Sequence, residues 1–357
     1  MLLFVFTTGQ CNLNCGYCGG SFPEKVVPWQ IKYPFKQLKD LITQDSEPII
    51  AFYGGEPLLN PNLIRQVMDE IPAKHYVIQT NGLLARELEP EYWKRMSTAL
   101  LSIDGGREIT DSYRGKGVYD RVIDSAKYLH EIGFKGDLVA RMTTTESSDI
   151  YRDVTHLLSL SLFDHIHWQL NVVWSEPWRD FEGWVAKSYN LGITRLIDLW
   201  MNNLRGGNIL GIAPFLGIMK AILFNEKLSP PCGAGQDAFA ITTDGRIIAC
   251  PIAVDAKEMA LEHLGTCKLN TLRNSVAIKE PCTSCEIFRY CGGRCLYAYK
   301  ERYWGDEGFN KICRVTKHLV NSLLGIREEI EHQIEYENIS RRELYYPPFN
   351  NTTEVIP

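Results

Sequence analysis

Apolar residues recur along this chain in short runs separated by stretches of helical period. The runs at 2–6, 49–53, 76–79, 99–103, 138–142 and 165–173 are rich in β-branched and aromatic residues and read as strands. Between them, 33–43, 62–71, 89–96, 119–132 and 149–160 carry apolar residues three and four apart and read as helices, several opening on Asp, Asn or Pro. Strands that alternate with helices can bury both faces of a sheet, so the pattern predicts an α/β domain with parallel strands and right-handed crossovers.

Beyond residue 176 the pattern changes. Trp178, Trp184, Trp200, Leu204 and the apolar run 209–224, interrupted by Gly206-Gly207, Gly211, Pro214 and Gly217, predict a helical bridge. The segment 241–248 reads as a hairpin about Asp244-Gly245. Val315, Leu319, Leu323, Ile326, Ile330 and Ile334 fall on one face of an amphipathic helix, and the tail 345–357 is aromatic, proline-bearing and extended. The expected division is 1–176 for the α/β domain, 177–231 for the helical linker, 232–313 for a cysteine-rich domain and 314–357 for the C-terminal helix and tail.

With 357 residues, 45% of them hydrophobic, the chain can bury a full core and a smaller second one. The net charge of −5 provides no basic surface in bulk and disfavours nucleic acid as a partner. Residues 1–6 lack a charged n-region and no run reaches membrane-spanning length, so the expected location is cytoplasmic. Eleven cysteines in a reducing compartment then argue for metal rather than disulfides.

The cysteines lie at the two ends of a cysteine-free body. Cys11, Cys15 and Cys18 form a Cx3Cx2C run directly after the first strand. Three thiolates on such a loop can hold three irons of a 4Fe-4S cluster and leave the fourth open, whereas a structural zinc wants a fourth ligand and none lies between Cys18 and His75. Gly54-Gly55-Glu56-Pro57 follows the second strand, and its glycines let backbone come close to a ligand. Gln79-Thr80-Asn81-Gly82 closes the third strand and Ser102-Ile103-Asp104-Gly105 the fourth. At the far end come Cys232, Cys250, and Cys282, Cys285, Cys291 and Cys295 in Cx2Cx5Cx3C spacing, then Cys313.

These motifs together resemble the radical SAM superfamily, and the second cysteine group resembles the seven-cysteine SPASM domain. The resemblance covers about residues 1–313 and implies a partial (β/α)6, TIM-like barrel with the cluster loop at the C-terminal edge of its first strand, followed by the small SPASM domain. It implies S-adenosylmethionine (SAM) as cofactor, chelated by the open iron and cleaved on reduction to methionine and a 5′-deoxyadenosyl radical. It also implies two auxiliary 4Fe-4S clusters, three clusters in all. Cys282, Cys285, Cys291 and Cys313 would hold the outer one and Cys232, Cys250 and Cys295 the inner, leaving Cys267 over as a structural residue or a fourth ligand.

By the same resemblance Gly54, Gly55 and Glu56 carry the methionine amino group, Asn81, Ser102 and Asp104 line the ribose and carboxylate, and Tyr17 meets the adenine edge through its backbone. Arg141, at the end of the fifth strand, is the candidate for the carboxylate, with Arg114 and Arg121 as rivals. Alternation along the sixth strand sets His165, His167, Gln169 and Asn171 on one face, open to a substrate-cavity reading. The motifs assign no catalytic acid or base.

The expected activity is oxidative modification or cross-linking of a residue in a ribosomally made peptide or protein, as in SPASM peptide maturases; uncharacterised archaeal members proposed to modify peptides are similar. An electron donor such as flavodoxin or ferredoxin is implied. Two features depart from the family. Anaerobic sulfatase maturases carry Asp after the second SPASM cysteine, and here Pro251 follows Cys250, which disfavours formylglycine formation. Cys11 also leaves no room ahead of it for a precursor-binding extension, so precursor capture is expected from elsewhere in the chain, the C-terminal tail being one candidate, or from a separate precursor-binding protein. The alternatives are a small-molecule radical dehydrogenase or epimerase, and an iron-sulfur or zinc protein without radical chemistry.

Overall fold

Strand and helix alternate from the first residues, as the apolar runs require. In this computed structural model, which describes residues 1–226, 229–302, 304–347, 349 and 357, the order is β1 (Leu2–Phe6), α1 (Phe35–Ile42), β2 (Ile49–Tyr53), α2 (Pro61–Glu70), β3 (His75–Thr80), α3 (Pro90–Trp93), β4 (Thr98–Ser102), α4 (Arg107–Arg114), α5 (Val118–Glu131), β5 (Asp137–Thr144), α6 (Ile150–Ser159) and β6 (His165–Leu170). There follow α7 (Phe181–Trp184), α8 (Asn190–Arg205), α9 (Ala213–Phe224), β7 (Ala238–Ile241), β8 (Arg246–Ile248), β9 (Ala260–His263), α10 (Phe288–Cys291), α11 (Leu296–Glu301), α12 (Gly305–Gly325) and α13 (Arg327–Glu335). The chain forms two compact units: residues 1–103, 110–139 and 233–277 in one, and 104–109, 140–232 and 278–357 in the other.

The first unit is built on strands in the order β4-β3-β2-β1-β7-β8-β9. β1 pairs in parallel with β2, Leu2 opposite Ile49, and on its other edge with β7, Leu2 opposite Ala238. Every residue of β1 is buried, as expected of a central parallel strand covered on both faces. Leu2, Phe4, Phe6, Ala51, Val77, Leu100, Val139, Ala238 and Ala240 form one side of its core. α2 starts on Pro61 with Asn60 accepting the Leu63 N–H, which satisfies an orphan donor of the first turn.

In the second unit β6 lies beside β5, and Ile166 makes a parallel bridge to Ile212 just ahead of α9. Every residue from Ala213 to Leu223 of α9 is buried, so this helix is covered all round, and its one charge, Lys220, is paired with Glu226 at 2.7 Å. Phe215 stands edge-on between Trp168 and Trp200, with ring centroids 6.1 and 5.9 Å away. Asp149 caps α6 by accepting the Arg152 N–H at 3.0 Å. Among the described residues no helix is long and apolar enough to cross a membrane.

The sequence and the structure differ in several elements. The expected helix 89–96 shortens to α3, and the sixth strand ends at Leu170 rather than 173. α4 was not expected, because its sequence is dominated by charged and hydroxyl residues. The single C-terminal helix is two, α12 and α13, broken at Ile326, whose φ of −101° and ψ of 1° leave the helical region. The hairpin about Asp244-Gly245 is present, with Gly245 at φ +88°, and its first strand also extends the parallel sheet beside β1. Of the C-terminal tail, 348 and 350–356 lie outside the described residues, as do 227–228 of the helical bridge.

Candidate active site

In the first unit the loop after β1 is clamped from both sides. The Cys11 N–H donates to Ser21 Oγ at 2.9 Å, Phe22 N–H to Gly9 O at 2.9 Å and Gly16 N–H to Tyr113 O at 2.8 Å. The turn after β2 supplies the other side: Gly55 N–H donates to Thr8 O at 3.1 Å and Glu56 N–H to Gln10 O at 2.7 Å. That approach is why the pair must be glycine. A Cβ on Gly54, whose φ is +145°, would fall 2.3 Å from Thr8 O, and one on Gly55 2.0 Å from Gln10 O.

Glu56 is fully buried and ties this turn to the end of β3. Its Oε1 accepts from Thr80 Oγ1 at 2.6 Å and Leu58 N–H at 3.0 Å, and its Oε2 from Asn81 N–H at 2.8 Å. Burial pushes its carboxyl up to about 7 despite these three donors. The Asn81 amide in turn donates to Asn12 Oδ1 at 2.6 Å and lies 4.0 Å from Cys11 Sγ. The three motifs that the sequence set apart therefore meet in one hydrogen-bonded assembly around the cysteine loop. Ser102, half-buried at the end of β4, belongs to the same unit.

The thiols differ in character. Cys15 is buried and donates to Cys18, which is exposed; the hydrogen bond holds the Cys18 thiol down to about 6 and raises that of Cys15. Burial raises Cys11. The Arg114 guanidinium favours the thiolate at both Cys15 and Cys18 and sits 5.4 Å from the Tyr17 ring, which stacks on Tyr113 at 5.8 Å. Arg114 is thus a neighbour of the cysteine loop, a role the motifs did not signal. Arg121 donates to Leu83 O at 3.4 Å.

In the second unit Asp104 is buried and accepts the Thr143 N–H at 2.8 Å. Arg141 is buried as well, donating to Met142 O at 2.8 Å and to Gln169 Oε1. Of the polar face expected on β6, His167 is buried, Gln169 is taken up by Arg141, and His165 stands edge-on to Tyr346 at 5.1 Å.

The same unit holds a cavity of about 410 Å³ lined by Cys282, Cys285, Cys291, Cys295 and Cys313. Cys282, Cys285, Cys291 and Cys313 lie within electrostatic range of one another; burial pushes Cys282 up to about 11 and Cys291 up to about 12. Among the described residues no three His, Cys, Asp or Glu side chains converge tightly enough to share one metal ion. Thiols spread around a cavity of this size suit a four-iron cluster, which needs its ligands apart, and not a single zinc. Cys250 and Cys267 lie in the first unit and Cys232 in the second. The Cys267 thiol, pushed up to about 11 by burial, has Glu262 as its charged neighbour.

Comparison with known proteins agrees with this chemistry. Residues 5–146 match the model of the Radical SAM superfamily. The chain is 23% identical over 362 residues to the cysteine-type anaerobic sulfatase-maturating enzyme of Clostridium perfringens, covering 88% of this chain and 94% of that one. It is 26% identical over 320 residues to the mycofactocin maturase MftC of Mycobacterium tuberculosis, covering 82% and 77%. Its fold superposes on native anSMEcpe with bound AdoMet and Cp18Cys peptide with a TM-score of 0.70 at 19% identity, over 92% of this chain and 99% of that one. The α/β fold with its parallel sheet and cysteine-rich C-terminal region is therefore that of this group of enzymes, and residues 5–146 form a radical SAM domain.

Proposed function

We propose that this chain is a radical SAM/SPASM enzyme that oxidatively modifies or cross-links a residue in a ribosomally synthesised peptide or protein. The observation that carries the reading is the clamped cysteine loop: Cys11, Cys15 and Cys18 presented between the Gly54-Gly55 backbone and Asn81, with Glu56 locking the turns together. A reduced 4Fe-4S cluster with SAM supplies, when bound there, a 5′-deoxyadenosyl radical able to abstract hydrogen from substrate.

The chain's own residues hold and orient. Cys11, Cys15 and Cys18 are the ligands of the first cluster. Both Glu56 oxygens are occupied by the protein, so its part is to fix the turn whose Gly54 and Gly55 carbonyls would accept from the methionine amino group. Asn81, Ser102 and Asp104 would take the ribose and carboxylate end, Tyr17 the adenine edge, and Arg141 the carboxylate. Cys282, Cys285, Cys291 and Cys313 hold an outer auxiliary cluster in their cavity, and Cys232, Cys250 and Cys295 an inner one, which makes three. The functional division is a radical SAM part over 1–176, a linker over 177–231, the SPASM part over 232–313 and the helices and tail of 314–357.

A peptide or protein substrate is favoured by relatives whose names are those of a sulfatase-maturating enzyme and a mycofactocin maturase. Formylglycine formation is disfavoured by Pro251 after Cys250. Flavodoxin or ferredoxin would supply the electron, in the cytoplasm, and a separate protein would present the precursor. The test is anaerobic: the reconstituted chain with SAM and dithionite should release 5′-deoxyadenosine, and should modify a short peptide encoded beside its gene. No 5′-deoxyadenosine from protein that has taken up its iron would end the radical reading.

A further inference from the structure

The cysteine cavity of the second unit is lined by cations as well as thiols. Four cations line it: Arg294, Arg302, Arg314 and Lys317. Three have a carboxylate partner, Arg302 in Asp306, Arg314 in Glu182, and Lys317 in Glu286 at 2.9 Å. Arg294 is held instead by the last residue of the chain. It is only 7% exposed, its Nε donates to Pro357 O at 2.8 Å, and its Nη2 has no hydrogen-bond partner among the described residues.

The backbone holds it there. Gly292, Gly293 and Arg294 take φ of 58°, 83° and 59°, three left-handed residues in succession, which fold the chain sharply between Cys291 and Cys295. A non-glycine residue is uncommon in that region and persists where the surroundings over-determine it. A buried guanidinium N–H left without an acceptor is costly, so a cavity that keeps Nη2–H unpartnered at its wall is built to offer it one.

We propose that Arg294 tunes the outer auxiliary cluster, its buried guanidinium facing the anionic iron-sulfur core and donating Nη2–H to a cluster or cysteine sulfur, so that the cluster accepts an electron more readily. Hydrogen bonds to the sulfurs and the local net charge are the levers by which a protein sets such a potential. Adding an electron makes the cluster more negative, a fixed cation stabilises that state more than the oxidised one, and the midpoint rises. The inference rests on the iron-sulfur reading of the cavity.

The experiment is an EPR-monitored redox titration, with iron analysis, of the full chain reconstituted anaerobically, comparing wild type, Arg294→Met and Arg294→Lys. Cys285→Ala identifies which signal belongs to this cavity; if it removes neither iron nor a signal, the cluster reading of the cavity fails, independently of Arg294. The expected result for Arg294→Met is retained iron and a midpoint lowered by at least tenfold in the oxidised-to-reduced ratio, which is about 59 mV for a one-electron couple, with Arg294→Lys staying near wild type. Unchanged midpoints in both variants, or equal shifts in both, overturn the proposal, because then charge is not the agent. Should Arg294→Met fail to take up this cluster, loading by Arg294→Lys alone supports the need for the cation, and failure of both rejects it.

Discussion

At the scale of single residues, burial without a counter-charge is what marks this site. Glu56 has the clearest consequence. Its carboxyl stands raised from 4.5 to about 7 by burial, so relative to the unfolded chain the folded one holds this proton more tightly. The stabilisation is fully present below pH 4.5 and is lost as pH rises through about 7, a change of about 3 kcal/mol. Denaturant titrations without SAM should show Glu56→Gln flattening this part of the stability profile; a slope between pH 5 and 7 that the substitution leaves intact would assign it to another group. For Arg141, replacement by Ala should weaken SAM binding by about 2 to 3 kcal/mol, measured by calorimetry on the reconstituted protein. Unchanged affinity would pass the carboxylate to Arg114, which already stands beside the cysteine loop, or to Arg121. Individual residue types in the motifs could be read from sequence because the chemistry requires them, while the Arg294 guanidinium could not, since it belongs to no motif, nor could the contact that brings Arg114 over Tyr17.

At the scale of elements, the turn after β2 is where sequence and packing agree most closely. Both glycines sit against the Thr8–Gln10 backbone, and a carbonyl cannot move away as a flexible side chain could. Gly55→Ala should therefore lower stability by about 1 to 3 kcal/mol and reduce iron uptake at the Cys11 loop, while leaving the Cys282 cavity loaded. Equal thermal midpoints for wild type and variant would mean that the loop accommodates the methyl group. The central strands were legible because each is a short, fully apolar run, as β1 shows. α4 was not, because its packing is set by a few apolar residues amid charged ones. The break at Ile326 left no mark in an apolar stripe that continues through it to Ile334.

At the scale of the molecule, the cysteine inventory is the quantity to measure. On the proposed three-cluster reading, replacing Cys11, Cys15 and Cys18 together by Ala should abolish SAM cleavage and leave roughly two-thirds of the iron, because the ligands proposed for the other two clusters are untouched. Loss of all iron would refute the separateness of the two cysteine groups. Cys267→Ala should change neither iron content nor the EPR signals, as befits a buried thiol whose charged neighbour is Glu262; disappearance of about four irons would make it a ligand. The alternation of strands and helices, the cysteine loop after β1 and the two-ended cysteine layout were determined by the sequence alone, because each rests on spacing along the chain, which periodicity converts directly into structure. The tertiary structure decided the rest: that β7 lies parallel beside β1, that Glu56 fastens two strand ends together, and that five cysteines spread over 282–313 surround one cavity together with the buried Arg294. Those facts depend on which distant segments share a boundary and on how much water is left between them, and neither is written in the spacing of residues along one chain.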